Sequence, residues 1–239
     1  MTCNEFSNTF DVLLNSYRTL NKLTEGNIPN TINLNEYEKS VFLTAAQEDL
    51  IMSVYDGKGI YLSSFEGTEK FRKYLNELIK TIEITGFESG TGVSPNSKFV
   101  TLPEAEDKIW FITYEAATIN DVSAGSSNNK TILVKPVTQD DYYYIQQNPF
   151  KQANKNRVLR LDVNENRVEL VSPYTLSKYI VRYVSKPSPI ILIDLTNDGL
   201  TISGLSEKTE CVLNPAIHMA ILDRAVQMAY QSRATKSNE

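Results

Sequence analysis

The chain has 239 residues, of which 41% are hydrophobic and 22% charged, a composition typical of a folded protein with a sizeable core. Its net charge of −5 excludes the broad cationic surface that coats nucleic acid or an anionic membrane. The two cysteines match no metal or redox spacing, and neither a signal peptide nor an apolar run of about 20 residues is present, so we expect no membrane association.

The first third of the chain is predicted to be helical. Apolar residues recur there at three- and four-residue steps, which marks three stripes, over residues 6–20, 42–54 and 71–82. Asn35 and Glu38 have the spacing of a capping box before the second helix, and Gly57 is placed to end it. The third helix is predicted to begin after Thr68. Because no single helix can bury its own stripe, we expect the three to pack together.

Beyond Gly86 the pattern changes to short strands. Residues 86–96 are rich in glycine and serine and predict a loop, and a mobile tip is predicted over 123–129. The predicted strands cover residues 98–102, 108–114, 131–135, 158–163, 167–171, 179–184, 190–195 and 200–202. Alternation of apolar and polar residues on both sides of residues 164–166 predicts a hairpin there.

The chain then returns to helix. Asn214 is a natural N-cap, and Pro215 suits the first helical position, where no amide donor is needed. We expect this helix to pack onto the N-terminal helices. The sequence therefore predicts an α+β fold, in which the N-terminal helices and the C-terminal helix form a helical bundle with a β-rich insertion between them. The predicted parts are residues 1–90, 91–204 and 205–239.

Residues suited to catalysis or metal binding form no familiar pattern. The sole histidine, His218, could serve Cys211 as a base, but no third group orients the pair, so a structural role is favoured. Two acidic pairs could coordinate a hard cation: Asp140 with Asp141, and Asp194 with Asp198. Neither has the ligand spacing of an EF-hand loop, so solvated turns are favoured. We expect no enzyme activity, metal or cofactor.

Two groups of polar and aromatic residues are candidate subunit interfaces. The first is the segment DDYYYIQQNPFKQANKNRVLRL, in which Tyr142, Tyr143, Tyr144 and Phe150 stand beside basic residues. Such clusters favour protein interfaces, and three adjacent tyrosines are costly to bury together. An ordinary tyrosine-rich helix start is an equal alternative, and stacking on single-stranded nucleic acid is a lesser one. We expect serine at Tyr142 and Tyr144 to spare the fold and weaken assembly.

The second group is the segment KYIVRYVSKP. Lys178, Arg182 and Lys186 share one side of it at strand or helix spacing. These cations are predicted to contact an acidic neighbouring subunit. The alternative is a sheet edge that is charged against aggregation.

Four segments in a fixed order resemble a known family. They are LNEYEKSVFLTAAQEDLIMSVYDG, NPFKQANKNRVLRLD, VRYVSKPSPIILIDL and ECVLNPAIHMAILDRAVQMA. As an ordered set they resemble a virion structural protein of crAss-like bacteriophages, a ring or head-to-tail connector protein of the neck and tail. The resemblance covers residues 34–229. It implies a protein made in the bacterial host cytoplasm and built into the virion.

The resemblance also implies the partners. They are copies of the chain itself in a closed ring, dodecameric in the family, together with the portal protein and other neck or tail ring proteins. DNA would pass through the ring only as cargo, and no cofactor or membrane is implied. A ring needs two different complementary patches on each subunit. The alternatives are a tail-hub or fibre-attachment module, or a nucleic-acid-binding factor outside the virion.

Overall fold

The computed structural model describes residues 1–25, 33–56, 73–102, 109–121, 128–164 and 166–234. Its helices are α1 (Cys3–Glu25), α2 (Glu36–Asp56), α3 (Gln139–Gln147) and α4 (His218–Ala234). Its strands are β1 (Ile79–Ile84), β2 (Glu88–Ser89), β3 (Ser97–Thr101), β4 (Ile109–Asp121), β5 (Asn128–Pro136), β6 (Arg157–Asp162), β7 (Arg167–Val171) and β8 (Thr175–Ser185). Among these residues, no helix combines the length and the apolar character needed to cross a bilayer.

The chain divides into two compact units. The terminal unit holds residues 1–78 and 187–239, and the sheet unit holds residues 79–186. Compactness does not test whether a segment folds by itself, so the division at residues 90 and 204 stays a prediction.

In the terminal unit, α4 packs against α2 and α1. The capping box of α2 is confirmed, since the Asn35 amide donates to Glu38 Oε2 (3.0 Å) and the Glu38 amide donates to Asn35 Oδ1 (2.8 Å). Asn214 is confirmed as a cap, because its side chain accepts from the Ala216 amide ahead of a 3₁₀ turn that leads into α4. These local signals place the beginnings of two of the helices that form this core.

One face of α2 binds an extended segment, residues 188–192, through buried polar side chains. The bonds are Ser40 Oγ with the Leu192 amide (3.0 Å), Thr44 Oγ1 with the Ile190 amide (3.1 Å) and Gln47 Nε2 with the Ser188 carbonyl (2.9 Å). The steps along the helix are four and three residues, which rise about 6 Å and 4.5 Å, and two residues of extended chain advance about 6.6 Å. The helix therefore presents one polar side chain to each alternate residue of the extended segment. α2 thus supplies hydrogen bonds that a neighbouring strand would otherwise supply.

The sheet unit is built on eight strands in the order β1-β8-β4-β5-β6-β7-β3-β2. β5 and β6 run parallel and are connected through α3, whereas the other neighbouring pairs are antiparallel. The predicted hairpin around residues 164–166 is confirmed by the pairing of β6 with β7. Strands from both ends of the sheet order contribute to one apolar core, which includes Val100, Ala117, Val158, Leu170, Tyr179 and Val181.

The predicted fold class is wrong. The architecture is β-rich, with an eight-stranded mixed sheet as its largest element, and is not a helical bundle with an insertion. The predicted third helix fails because residues 79–84 form β1, in which Ile82 and Ile84 alternate toward the sheet core while the backbone pairs with β8. The strand predicted over residues 190–195 is instead the extended segment held by α2. Gly57, Thr68, Phe71 and residues 123–127 lie outside the described residues.

Candidate subunit interface

The three consecutive tyrosines are divided between core and surface by α3. Thr138 caps this helix by accepting from the Asp141 amide, which fixes where its first turn begins. Tyr142 is then turned inward, 7% exposed, against Leu159, Leu161 and other apolar residues of the sheet unit. Burial raises the pKa of the Tyr142 hydroxyl, and its interaction with the Ser94 side chain partly opposes this. Tyr142 is therefore a core residue.

Tyr143 and Tyr144 point to solvent on the same helix. Their side chains are 64% and 72% exposed, and their rings meet edge to face with centroids 6.0 Å apart. Exposed aromatic pairs with rigid side chains are common anchors of protein interfaces. The interface prediction remains untested, and we retain it for these two tyrosines because they are accessible to a partner.

Phe150 is 87% exposed, yet it lies in a tightly bonded turn. Asn148 Oδ1 accepts from the Phe150 amide at 2.9 Å. The Arg157 guanidinium donates to the carbonyls of Phe150 (2.9 Å) and Lys151 (3.1 Å). The backbone that carries this ring is therefore fixed while the ring itself lies in water. The ring is therefore accessible to a partner, and the interface role of Phe150 stays a prediction.

The three cations of the second group lie on or just beyond β8. Lys178 forms an ion pair with Glu83 of β1 (2.8 Å), and the Arg182 guanidinium lies 6.0 Å from the centre of the Tyr114 ring. Lys186 is half-buried and follows the last residue of the strand. The alternative of a charged sheet edge is wrong, because β8 lies between β1 and β4. Contact with an acidic neighbour stays a prediction, and Lys178 and Arg182 would have to share their charge with these internal partners.

A buried polar cluster that the sequence did not indicate lies inside the sheet unit. Glu115 of β4 accepts from Arg160 Nη1 of β6 (3.1 Å) and from the Tyr179 hydroxyl of β8. Burial raises the pKa of Glu115, and hydrogen bonds and charge from Tyr179 and Arg160 partly oppose this. Burial and the adjacent carboxylate also raise the pKa of Tyr179. The cluster holds three strands together. It also occupies Arg160, a basic residue of the segment for which stacking on nucleic acid was the lesser alternative.

Cys211 and His218 have separate partners. Cys211 Sγ donates to Gln47 Oε1 at 3.4 Å, and burial raises the pKa of the thiol to about 11. His218 Nε2 bonds to the Leu213 carbonyl at 2.8 Å, and its ring packs on Phe6 at 5.1 Å between centroids. Burial lowers the pKa of His218. A protonated thiol and an imidazole engaged elsewhere are not a nucleophile and its base, so His218 has a structural role.

The acidic pairs act in local turns. Asp141 lies in the first turn of α3, and Asp194 Oδ1 accepts from the Thr196 amide at 2.9 Å. These bonds to Thr196 lower the pKa of Asp194. Within the described ranges, no group of three or more His, Cys, Asp or Glu side chains is placed to hold a metal ion.

The chain is similar over its whole length to ring proteins of bacteriophages. The family described as phage tail ring protein 3/4 matches residues 1–239. Ring protein 3 of Bacteroides phage crAss001 is 47% identical over 235 residues, which cover 98% of this chain and 96% of that protein. Ring protein 4/5 of the same phage is 34% identical over 238 residues, which cover 96% and 92% of the two chains. The chain therefore belongs to the phage tail ring protein 3/4 family and is a structural component of the virion of a crAss-like phage, as the resemblance of its ordered segments predicted.

Proposed function

We propose that this protein forms a closed ring of identical subunits in the neck and tail stack, where it connects the portal to the tail and surrounds the DNA channel. The match of the tail ring family to every residue from 1 to 239 carries this proposal. Two relatives of nearly the same length are named as ring proteins, which supports the same assembly for this chain. The dodecameric state is part of the proposal and follows from the resemblance. A structural role without catalysis is also part of it.

A ring of identical subunits needs a heterologous interface, in which one surface of each subunit binds a different surface of the next. The exposed aromatic residues Tyr143, Tyr144 and Phe150 supply material for one of these surfaces. Lys178, Arg182 and Lys186 are proposed to contribute a further contact with an acidic neighbour. Aromatic residues at the centre of an interface commonly dominate its binding energy, so these three are the first candidates for substitution.

The channel role is consistent with the charge of the chain. Passing DNA must not be held by the wall of the ring, and strong binding to DNA arises mainly from cations that neutralise phosphates. The net charge of −5 disfavours such binding. An acidic lumen would let DNA move through the ring without adhering to it.

The proposal is tested by quantitative mass spectrometry of purified phage particles, with the portal subunit as internal standard. We expect a copy number equal to that of the portal or a simple multiple of it. Absence from the particle, or a copy number unrelated to the portal, would contradict the proposal. Native mass spectrometry of the purified 27.0 kDa chain supplies a second test, because stable free trimers or hexamers would favour the alternative of a tail-hub or fibre-attachment module.

The contribution of the tyrosines is tested with Tyr143→Ser combined with Tyr144→Ser. We expect normal folding by circular dichroism and weaker ring formation. Val12→Ser is the control, since Val12 is an apolar residue that is 67% exposed and lies outside the groups proposed for the interface. Equal loss of assembly in the control would indicate a general effect of removing exposed apolar side chains.

A further inference from the structure

Two surfaces of this chain have complementary chemistry. The first is the Phe150 turn, defined as residues 148–157. It carries the cations Lys151, Lys155 and Arg157 and contains no acidic residue. Lys151 and Lys155 are exposed beside the exposed Phe150 ring, whereas Arg157 is half-buried and bonded to the backbone of the turn. The acids Asp140 and Asp141 lie at the opposite end of α3, so the turn presents an aromatic ring with positive charge.

The second surface is the acidic loop, defined as residues 193–210 of the terminal unit. Its charged residues, all exposed, are four acids and one lysine: Asp194, Asp198, Glu207, Glu210 and Lys208. Three large apolar side chains are exposed on the same loop, namely Ile193 (47%), Leu200 (38%) and Leu205 (43%). The loop therefore presents aliphatic groups with negative charge.

The acidic loop has a defined backbone conformation. Ile202 and Leu205 exchange both of their backbone hydrogen bonds (2.8 and 3.0 Å) across Ser203 and Gly204. These two residues have φ values of 52° and 86°, as the central positions of a type I′ turn require. At the base of the loop, the Leu195 amide donates to the Ser206 carbonyl at 2.8 Å. The exposed aliphatic groups are thus held in place, so ordering them on binding costs little entropy.

We propose that the Phe150 turn of one copy docks on the acidic loop of the next copy, and that this contact is the heterologous interface of the ring. The inference rests on the proposed function, because a closed ring requires two different surfaces on one chain that bind each other. These two surfaces meet that requirement in both charge and apolar character. Phe150 supplies the anchor against Leu200 and Leu205, and the lysines face the carboxylates around them. The occupant of each surface is a second copy of this chain.

Two charge-reversed chains test the pairing. One chain carries Lys151→Glu with Lys155→Glu, and the other carries Glu207→Lys with Glu210→Lys. Each chain alone then presents like charges at the interface, so we expect its self-association to weaken about tenfold in sedimentation or native mass spectrometry. When the two chains are mixed, each reversed turn meets a reversed loop, and we expect alternating assemblies with the affinity of the unaltered protein. Rescue by mixing cannot arise from misfolded chains.

The control is Lys80→Glu with Lys98→Glu, which makes the same change of net charge as Lys151→Glu with Lys155→Glu. These two lysines lie on β1 and β3, neither of which pairs with β6, the strand that follows the Phe150 turn. We expect this control to assemble normally. Phe150→Ser removes the anchor without altering charge, and we expect it to weaken assembly about tenfold or more.

The outcomes separate the two proposals. If the unaltered chain assembles and the reversed chains do so equally well, or if mixing fails to restore affinity, the docking of the turn on the loop is refuted and the ring proposal stands. If the unaltered chain stays monomeric and its copy number in purified particles is unrelated to that of the portal, the homo-oligomeric ring itself is refuted. If charge reversal leaves self-association unchanged and weakens only the binding of a different tail protein, the acidic loop binds that protein. The assignment of a second copy of this chain as the occupant is then wrong.

Discussion

Tyr142 and Tyr144 differ by two positions, yet their replacement by serine is expected to have opposite consequences. Tyr142 is 7% exposed and packs on Leu159 and Leu161, whereas Tyr144 is 72% exposed. Removing a buried aromatic ring costs about 3–5 kcal/mol because of lost burial and the cavity that remains. Tyr142→Ser should therefore lower the melting temperature by about 6–20 °C, and Tyr144→Ser should change the free energy of unfolding by less than about 0.5 kcal/mol.

The assay is thermal unfolding of the dilute, unassembled chain, followed by circular dichroism at strand wavelengths. Tyr142→Phe is the control, because it keeps the ring and removes only the hydroxyl, which should cost about 1 kcal/mol or less. If Tyr142→Ser melts with the unaltered protein and loses only assembly, the placement of Tyr142 in the core is wrong. The original expectation that this substitution spares the fold would then be restored.

Three further substitutions test two buried polar contacts and the close packing around Gly92. Burial raises the pKa of Glu115, so ionising this carboxyl in the folded state lowers the free energy of unfolding. The protonated carboxyl's contribution to stability is fully present below the ordinary pKa of 4.5 and is lost as the pH rises through the pKa of the folded state. Glu115→Gln should remove this loss from the pH dependence of urea unfolding. Gly92→Ala should destabilise by about 1–3 kcal/mol, because its added Cβ would lie 2.6 Å from Ser97 Cβ. Thr44→Val should cost about 1–3 kcal/mol in chemical denaturation, since the buried Ile190 amide loses its acceptor.

Each of these changes has a control or a contrary result. Gly86→Ala is matched to the glycine change, since its Cβ would meet nothing within 4 Å, and it should be neutral or mildly stabilising. Thr113→Val removes an exposed hydroxyl that donates to the Arg182 carbonyl, and it should cost less than about 0.5 kcal/mol. Equal losses of stability for the two glycine changes would contradict the role assigned to close packing at Gly92. Equal losses for the two threonine changes would contradict the role assigned to burial of the Thr44 hydrogen bond. An identical pH dependence for Glu115→Gln and the unaltered chain would show that Glu115 titrates normally.

Local signals in the sequence predicted several features of the fold correctly. The capping box of Asn35 and Glu38, the cap at Asn214 and the hairpin around residues 164–166 were all confirmed. Each depends on residues close in the chain, so its hydrogen bonds can be anticipated from spacing alone. The ordered segments also predicted the family correctly.

The candidate interface was only partly predictable. The sequence drew attention to residues 140–161, but it treated the three tyrosines as one set. The orientation of α3 over Leu159 and Leu161 decides that Tyr142 is buried while Tyr143 and Tyr144 are exposed. Three adjacent residues of a helix point in different directions, and only the surface against which the helix packs determines which of them faces inward.

The sequence by itself determined the family, the places where two helices begin and one hairpin, because these depend on neighbouring residues. Only the tertiary structure decided the rest. Residues 79–84 resemble a helix stripe but form a strand because β8, about a hundred positions away, supplies their hydrogen bonds. Glu115 and Arg160, 45 positions apart, become a buried ion pair only when β4 and β6 are brought together. Pairings of this kind depend on which distant segments meet, and local spacing carries no record of that choice.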